Sequence, residues 1–179
     1  RIESDIAFKH NKKLIFDPCF KILNNLNEKI KNENLLIRFY NRNFGLFEYE
    51  EFEDKYPNIK KDKHKIKYND LISQTRIFLS PYLGTGYLET LSINLPTIIF
   101  LKKTDIIRDE AKPHYEMLKK VNIFFDDEIK LANHINNTWN NYSEWWDSKI
   151  LQETVKKFCN IYAYTNNNKI RDLKKIILN

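Results

Sequence analysis

Apolar and polar positions alternate along this chain in blocks that predict strands and helices in turn. Phe20, Ile22, Leu23, Leu26 and Ile30 recur at helical spacing up to Lys31, after a short apolar run, 13–16, that Asp17-Pro18 is expected to stop. Leu35 to Tyr40 is a strand bounded by polar residues, with Leu36–Tyr40 as its core. The stretch 41–65 is charged and aromatic, contains Gly45 and Pro57, and predicts a long loop. Ile66–Tyr68 suggests a further strand, Asp70 caps a short helix through Gln74, and Ile77–Ser80 returns as a strand. Tyr87, Leu88, Leu91 and Ser92 share one helical face, and Asn94 is placed to close that helix in the left-handed conformation. Thr97–Leu101 is a continuous apolar run of the kind that a parallel sheet buries.

The same alternation continues to the end. Pro113 suits a first helical turn running through Leu118 to Val121, and Asn122 stands where a glycine usually ends such a helix. Ile123–Phe125 is a strand and Asp126-Asp127 opens a helix whose Leu131, Ala132, Ile135, Thr138 and Trp139 line one side. Asp147 or Ser148 caps a long helix carrying Leu151, Val155, Phe158, Cys159 and Tyr162, and a terminal helix is expected over 172–178. Strands alternating with helices over short connections imply an α/β fold, a Rossmann-like parallel sheet with helices on both faces. The 179 residues make one such domain, 1–179. Ligands of these sheets lie at the carboxyl ends of the strands, which puts the Ser80–Gly86 turn and the Leu101–Lys112 loop on one rim.

That rim concentrates the candidate chemistry. Gly84 and Gly86 are two of only three glycines, and they flank Thr85 between a strand and a helix. Unpaired amides and the positive end of the helix suit a phosphate there, and Glu89, one turn on, suits ribose hydroxyls. The plainer reading is a tight turn with a cap, and a Glu89 that complements the helix dipole. Arg38 ends its strand at the same rim, open both to an internal carboxylate and to a phosphate or sugar carboxylate. Arg108, Lys112 and His114 form either a solvated basic face or a group that stabilises a leaving phosphate. Trp145 and Trp146 fit packing or a domain interface better than a sugar platform. The aromatic loop from Phe44 to Tyr56 suits a cover over the site or packing against another domain.

Composition trims the alternatives. A net charge of +6 with acids interspersed among the bases argues for compositional bias rather than nucleic-acid binding. Cys19 and Cys159 have no zinc or disulfide spacing, His10, His64 and His134 have no metal spacing, and no Asp-x-Asp motif occurs. No apolar run reaches the ~20 residues of a membrane span. Arg1 in place of Met and the lack of a signal pattern suggest a piece of a longer, cytoplasmic protein.

From about Leu36 to Tyr164 the chain resembles a family of bacterial surface-carbohydrate transferases of GT-B type. The resemblance rests on Ile37-Arg38-Phe39-Tyr40, Thr85-Gly86-Tyr87-Leu88-Glu89-Thr90-Leu91 and Asn94-Leu95-Pro96-Thr97-Ile98-Ile99-Phe100. It continues in Arg108-Asp109-Glu110-Ala111-Lys112-Pro113-His114-Tyr115, Asn122-Ile123-Phe124-Phe125, Trp145-Trp146, Gln152 and Phe158-Cys159. The family usually has Ser-Thr ahead of the Leu-Glu pair, where this chain has Gly84-Thr85-Gly86. The resemblance implies the C-terminal half of a glycosyltransferase that builds surface polysaccharide or lipopolysaccharide. Its donor would be a nucleotide-activated sugar, bound by Arg38, Ser80, Gly84, Thr85, Gly86, Glu89, Thr90, Arg108, Lys112 and His114 without a metal or other cofactor. The acceptor, a glycan or glycolipid, and the catalytic base would belong to an N-terminal domain against which helices in 150–179 could pack. Membrane association, if any, would be peripheral, at the inner face. A nucleotide-sugar epimerase of the same architecture and a non-catalytic nucleotide- or carbohydrate-binding module are the alternatives.

Overall fold

The computed structural model describes residues 16–39, 48–102 and 107–164. Helix α1 covers 16–25 and is followed by a π-helical turn, Ile30–Asn34. Then come β1 (Leu36–Arg38), α2 (Glu48–Lys55), β2 (Lys60–Asp62), α3 (Tyr68–Ser73), β3 (Phe78–Ser80) and α4 (Gly86–Ser92). The order ends with β4 (Thr97–Phe100), α5 (Lys112–Lys120), β5 (Phe124–Phe125), α6 (Glu128–Thr138), α7 (Tyr142–Trp146) and α8 (Lys149–Tyr162).

Every strand pairing among these residues is parallel. β1 pairs with β2, and β3-β4-β5 form a second sheet with β4 in the middle. All four β4 residues are buried, and the period of two along a strand splits them between two cores. Ile98 and Phe100 join Phe125, Leu131, Ala132, Ile135, Phe20 and Phe52 on one face. Ile99 and Leu101 join Tyr87, Leu91, Leu118, Ile123, Phe124, Leu151, Val155 and Phe158 on the other. Each buried Leu, Ile, Val or Phe among them contributes roughly 1.5–3 kcal/mol by leaving water. Helices cover both faces, as a Rossmann-like fold requires. Ile37 of β1 and Leu79 of β3 pack on the first core, so the two sheets share that layer.

Two helix ends depend on asparagine. Asn94 (φ 58°) and Asn122 (φ 59°) are left-handed. Asn94 N–H donates to Leu91 C=O and Leu95 N–H to Thr90 C=O, and Asn122 and Ile123 repeat the pattern on Lys119 and Leu118. Both are Schellman closures with asparagine in the usual glycine position. The tryptophans anchor the same ends: Trp146 Nε1 donates to Asn94 O at 3.1 Å and Trp145 Nε1 to Val121 O at 2.9 Å. This supports packing as their role. Replacing Asn94 by alanine should cost about 1 kcal/mol, because a Cβ without a local polar partner disfavours this backbone. Asn94→Gly should be neutral or slightly stabilising, and urea unfolding separates the two. Equal losses in both variants would mean that the asparagine side chain, not the backbone, matters.

Several expectations need correction. The stretch 41–65 is not one long loop, since its described part holds α2 and β2. Tyr49, Phe52 and Tyr56 share a helical face, and Phe52 is buried with its ring 4.7 Å from that of Phe20. This part of the aromatic segment is core rather than a cover over the site. Ile66–Tyr68 is not a strand: Ile66 is exposed and Tyr68 begins α3. Asp70 lies in the first turn of α3, whose N-cap is Lys67, and does not cap it. Residues 16–25 are helical straight through Asp17-Pro18, so the pair does not act as a stop. Helix α7 was not anticipated. Ser148 is the N-cap of α8, and Asp127 caps α6 by accepting the Lys130 N–H at 2.8 Å. The run 13–15, Tyr40, His10 and the helix expected over 172–178 lie outside the described residues.

Candidate active site at the carboxyl rim

Parallel pairing brings the carboxyl ends of β3, β4 and β5 to one edge of their sheet, and the turn after β3 opens there. Ser80 ends β3 buried, its hydroxyl donating to Tyr82 O at 2.8 Å. Gly84 N–H donates to the same carbonyl at 3.0 Å. A Cβ on Gly84 would stand 2.7 Å from Tyr82 Cε2, so the turn needs glycine or a moved ring. Leu88 and Glu89 N–H both donate to Thr85 O. The amides of Thr85, Gly86 and Tyr87 therefore have no backbone acceptor among the described residues. Thr85 is the N-cap residue, exposed, and its hydroxyl makes no capping bond. Glu89 is exposed one turn further on.

Thr90 belongs elsewhere. It is 1 % exposed, its hydroxyl donates within α4 to Gly86 O and Tyr87 O, and it accepts from Thr97 Oγ1 at 2.9 Å. Ser80 and Thr90 thus brace the turn from inside and offer no hydroxyl to the rim.

Arg38 is held by its own protein. Nη1 donates to Asp62 Oδ2 at 2.9 Å and to Ile66 O at 3.1 Å, and Nη2 donates to His64 Nδ1 at 3.1 Å. The Asp62 side chain is 2 % exposed and that of Arg38 23 %. Of the two readings open from the sequence, the internal carboxylate is the one realised. Five donors on a planar guanidinium still leave capacity toward the rim.

Tyr68 joins these two groups, and sequence reasoning missed it. The Arg38 guanidinium lies 5.9 Å from its ring centroid, and its hydroxyl is 4.0 Å from where a Cβ on Gly86 would sit. That hydroxyl is buried and has no partner at hydrogen-bonding geometry among the described residues. Burial, and then the charge of Glu89, hold the phenol above its ordinary value against a smaller opposing pull from Arg38. Arg38, Tyr68, Gly86 and Glu89 are therefore one cluster. Only the approach of α3 to α4 assembles it, so no local pattern announces Tyr68.

The second basic group surrounds Tyr162. Arg108 is exposed, and its carbonyl accepts the N–H groups of Ala111 and Lys112. Lys112 Nζ donates to Asp109 Oδ1 at 2.6 Å and holds that carboxyl below its usual range. His114 Nδ1 meets Tyr162 Oη at 2.8 Å. Arg108 to Ala111 and Tyr162 line an open depression. The link to the turn is aromatic: Tyr87 Oη lies 2.7 Å from Tyr115 Oη, and the Tyr115 ring is 6.4 Å from that of Tyr162. Among the described residues no three His, Cys, Asp or Glu side chains gather to hold a metal ion. Burial pushes the Cys19 thiol up to about 12, which leaves it protonated and unreactive at neutral pH.

A family model described as LIC12162 family transferase matches residues 6–177. The chain belongs to that family of transferases. The match takes in both sheets and both basic groups, so a group-transfer enzyme is the setting in which the rim has to be read. Comparison with curated proteins and with solved structures gives no match. No helix among the described residues of this transferase is long and apolar enough to cross a membrane.

Proposed function

We propose that this transferase is a glycosyltransferase of GT-B type, and that the chain is its donor-binding domain. It would pass a sugar from a nucleotide-activated donor to a bacterial surface polysaccharide or lipopolysaccharide acceptor. One observation carries the reading: at the carboxyl rim of a parallel sheet, the Thr85–Glu89 turn presents open amides, an unspent hydroxyl and a carboxylate together. In this proposal the amides of Thr85 and Gly86, with the Thr85 hydroxyl, hold the donor phosphate. The Gly84 amide, already donated to Tyr82 O, takes no part. Glu89 accepts from ribose hydroxyls. Arg38, Arg108, Lys112 and His114 supply cationic or donor character around the departing phosphate, in place of a metal. The base that deprotonates the acceptor lies on another domain.

A thermal-shift panel of CMP, UDP, GDP and their sugars tests the class of ligand. One nucleotide, at a hundred times its dissociation constant, should stabilise the fold by about 2.7 kcal/mol. A flat response across the panel would count against nucleotide-sugar binding.

A further inference from the structure

Residues 60–67 read Lys-Lys-Asp-Lys-His-Lys-Ile-Lys, five lysines against one acid, in a chain whose whole excess is +6. Lys60, Lys63, Lys65 and Lys67 are exposed, and Ile66 stands among them 41 % exposed. None of the four is ion-paired among the described residues. Lys60 donates to Glu33 O, and Lys63 lies 4.3 Å over the Tyr49 ring. Glu53, which feels the charge of Lys63, is bonded to the buried Lys61. Lysine on an edge strand is an ordinary guard against edge-to-edge pairing, and that accounts for the exposed Lys60 in β2, while Lys61 is spent on Glu53 and on the carbonyls of Tyr56 and Ile59. It does not account for Lys63, Lys65 and Lys67, which lie beyond the strand.

The loop that carries them is pinned from below. Lys65 N–H donates to Asp62 Oδ1 at 3.1 Å, Arg38 donates to Ile66 O, and His64 Nε2 lies 2.6 Å from Phe39 O. His64 itself is left-handed, φ 59°. A run of like charges that would otherwise repel and spread is thus held in one shape around a single exposed isoleucine. We propose that the 63–67 loop docks the protein on an anionic lipid bilayer, with the lysines against headgroup phosphates and Ile66 in the interface. Because Arg38 pins this loop and also stands at the rim of the candidate site, docking would bring the rim to the membrane surface. There it would meet a lipid-linked acceptor. That consequence rests on the proposed function; the binding does not.

Co-sedimentation of the full-length protein with vesicles of phosphatidylglycerol, against vesicles of phosphatidylcholine, tests it. The protein should partition onto the first only, and raised salt should release it. Each lysine near such a surface is worth roughly fivefold, so Lys63→Gln, Lys65→Gln and Lys67→Gln combined should weaken partitioning about a hundredfold. Ile66→Asp should weaken it as well, while urea unfolding and nucleotide titration in solution stay as in wild type. Three results would overturn the proposal: no binding by the wild type, an undiminished triple variant, or tighter binding to a nucleic-acid duplex than to phosphatidylglycerol at the same salt. Vesicle binding without nucleotide binding would leave this surface standing and remove the donor site instead.

Discussion

Asp62→Ala is expected to lower the folding free energy by about 3 kcal/mol, the lower end of what breaking a buried ion pair costs. The carboxylate is nearly inaccessible and accepts from both Arg38 Nη1 and the Lys65 N–H. Its loss strands a guanidinium among Ile66 O, His64 and the Tyr68 ring. Arg38 keeps some contact with water, which is why the lower end applies. Asp62→Asn retains an acceptor oxygen and should cost clearly less. Arg38→Met combined with Asp62→Ala should recover part of the loss, since both charges then leave together. Urea unfolding reads all three. A loss under ~1 kcal/mol in Asp62→Ala would place the pair with ordinary surface ion pairs.

The second large effect is a loss of stability in mild acid. His134 lies against the rings of Phe125 and Trp145, 5.4 and 4.8 Å away, and its Nε2 has no hydrogen-bond partner among the described residues. Burial lowers its pKa from the ordinary 6.5 to about 4. Between those values the unfolded chain binds a proton that the folded one refuses, so stability rises with pH and falls as the solution is acidified through this window. The full shift corresponds to ~3 kcal/mol, and partial exposure of the ring reduces this to roughly 2 kcal/mol. Carboxyls held low in the fold, such as that of Glu128, which Lys102 keeps below its ordinary 4.5 against the opposing effect of burial, add their loss only at lower pH. His134→Leu should flatten the dependence between 6.5 and 4. An unchanged slope in that variant would show that His134 does not carry it.

What the sequence reveals and what it hides divide along one physical line. β4 was legible because four consecutive buried residues need no partner to declare themselves. The left-handed Asn94 and Asn122 were legible because each follows a helical run and precedes an apolar strand. β2 was not: Lys-Lys-Asp carries no apolar period, and it becomes a strand only by pairing with Leu36–Arg38. Arg38 stood in view at its strand end, yet its partner Asp62 depends on that same pairing. Thr90 entered the expected donor site only through the family resemblance, in the same Thr85–Leu91 segment as Glu89. One residue of helix turns the second about 100° from the first, which leaves Glu89 outward and Thr90 in contact with Thr97. Tyr68 required the approach of two helices. Local order is written in local pattern, and the candidate site is largely not local.

Calorimetric titration of the Thr85–Glu89 turn tests the central claim most directly. The nucleotide that stabilises the protein should bind wild type, and Glu89→Gln should weaken it by roughly ten- to a hundredfold. That is the loss of one charge-assisted hydrogen bond, typically ~1.5–3 kcal/mol. Thr85→Val should weaken the nucleotide but not the matching nucleoside, which has no phosphate to lose. Wild-type affinity in both variants would contradict the account, leaving this helix start a structural cap and the donor site elsewhere.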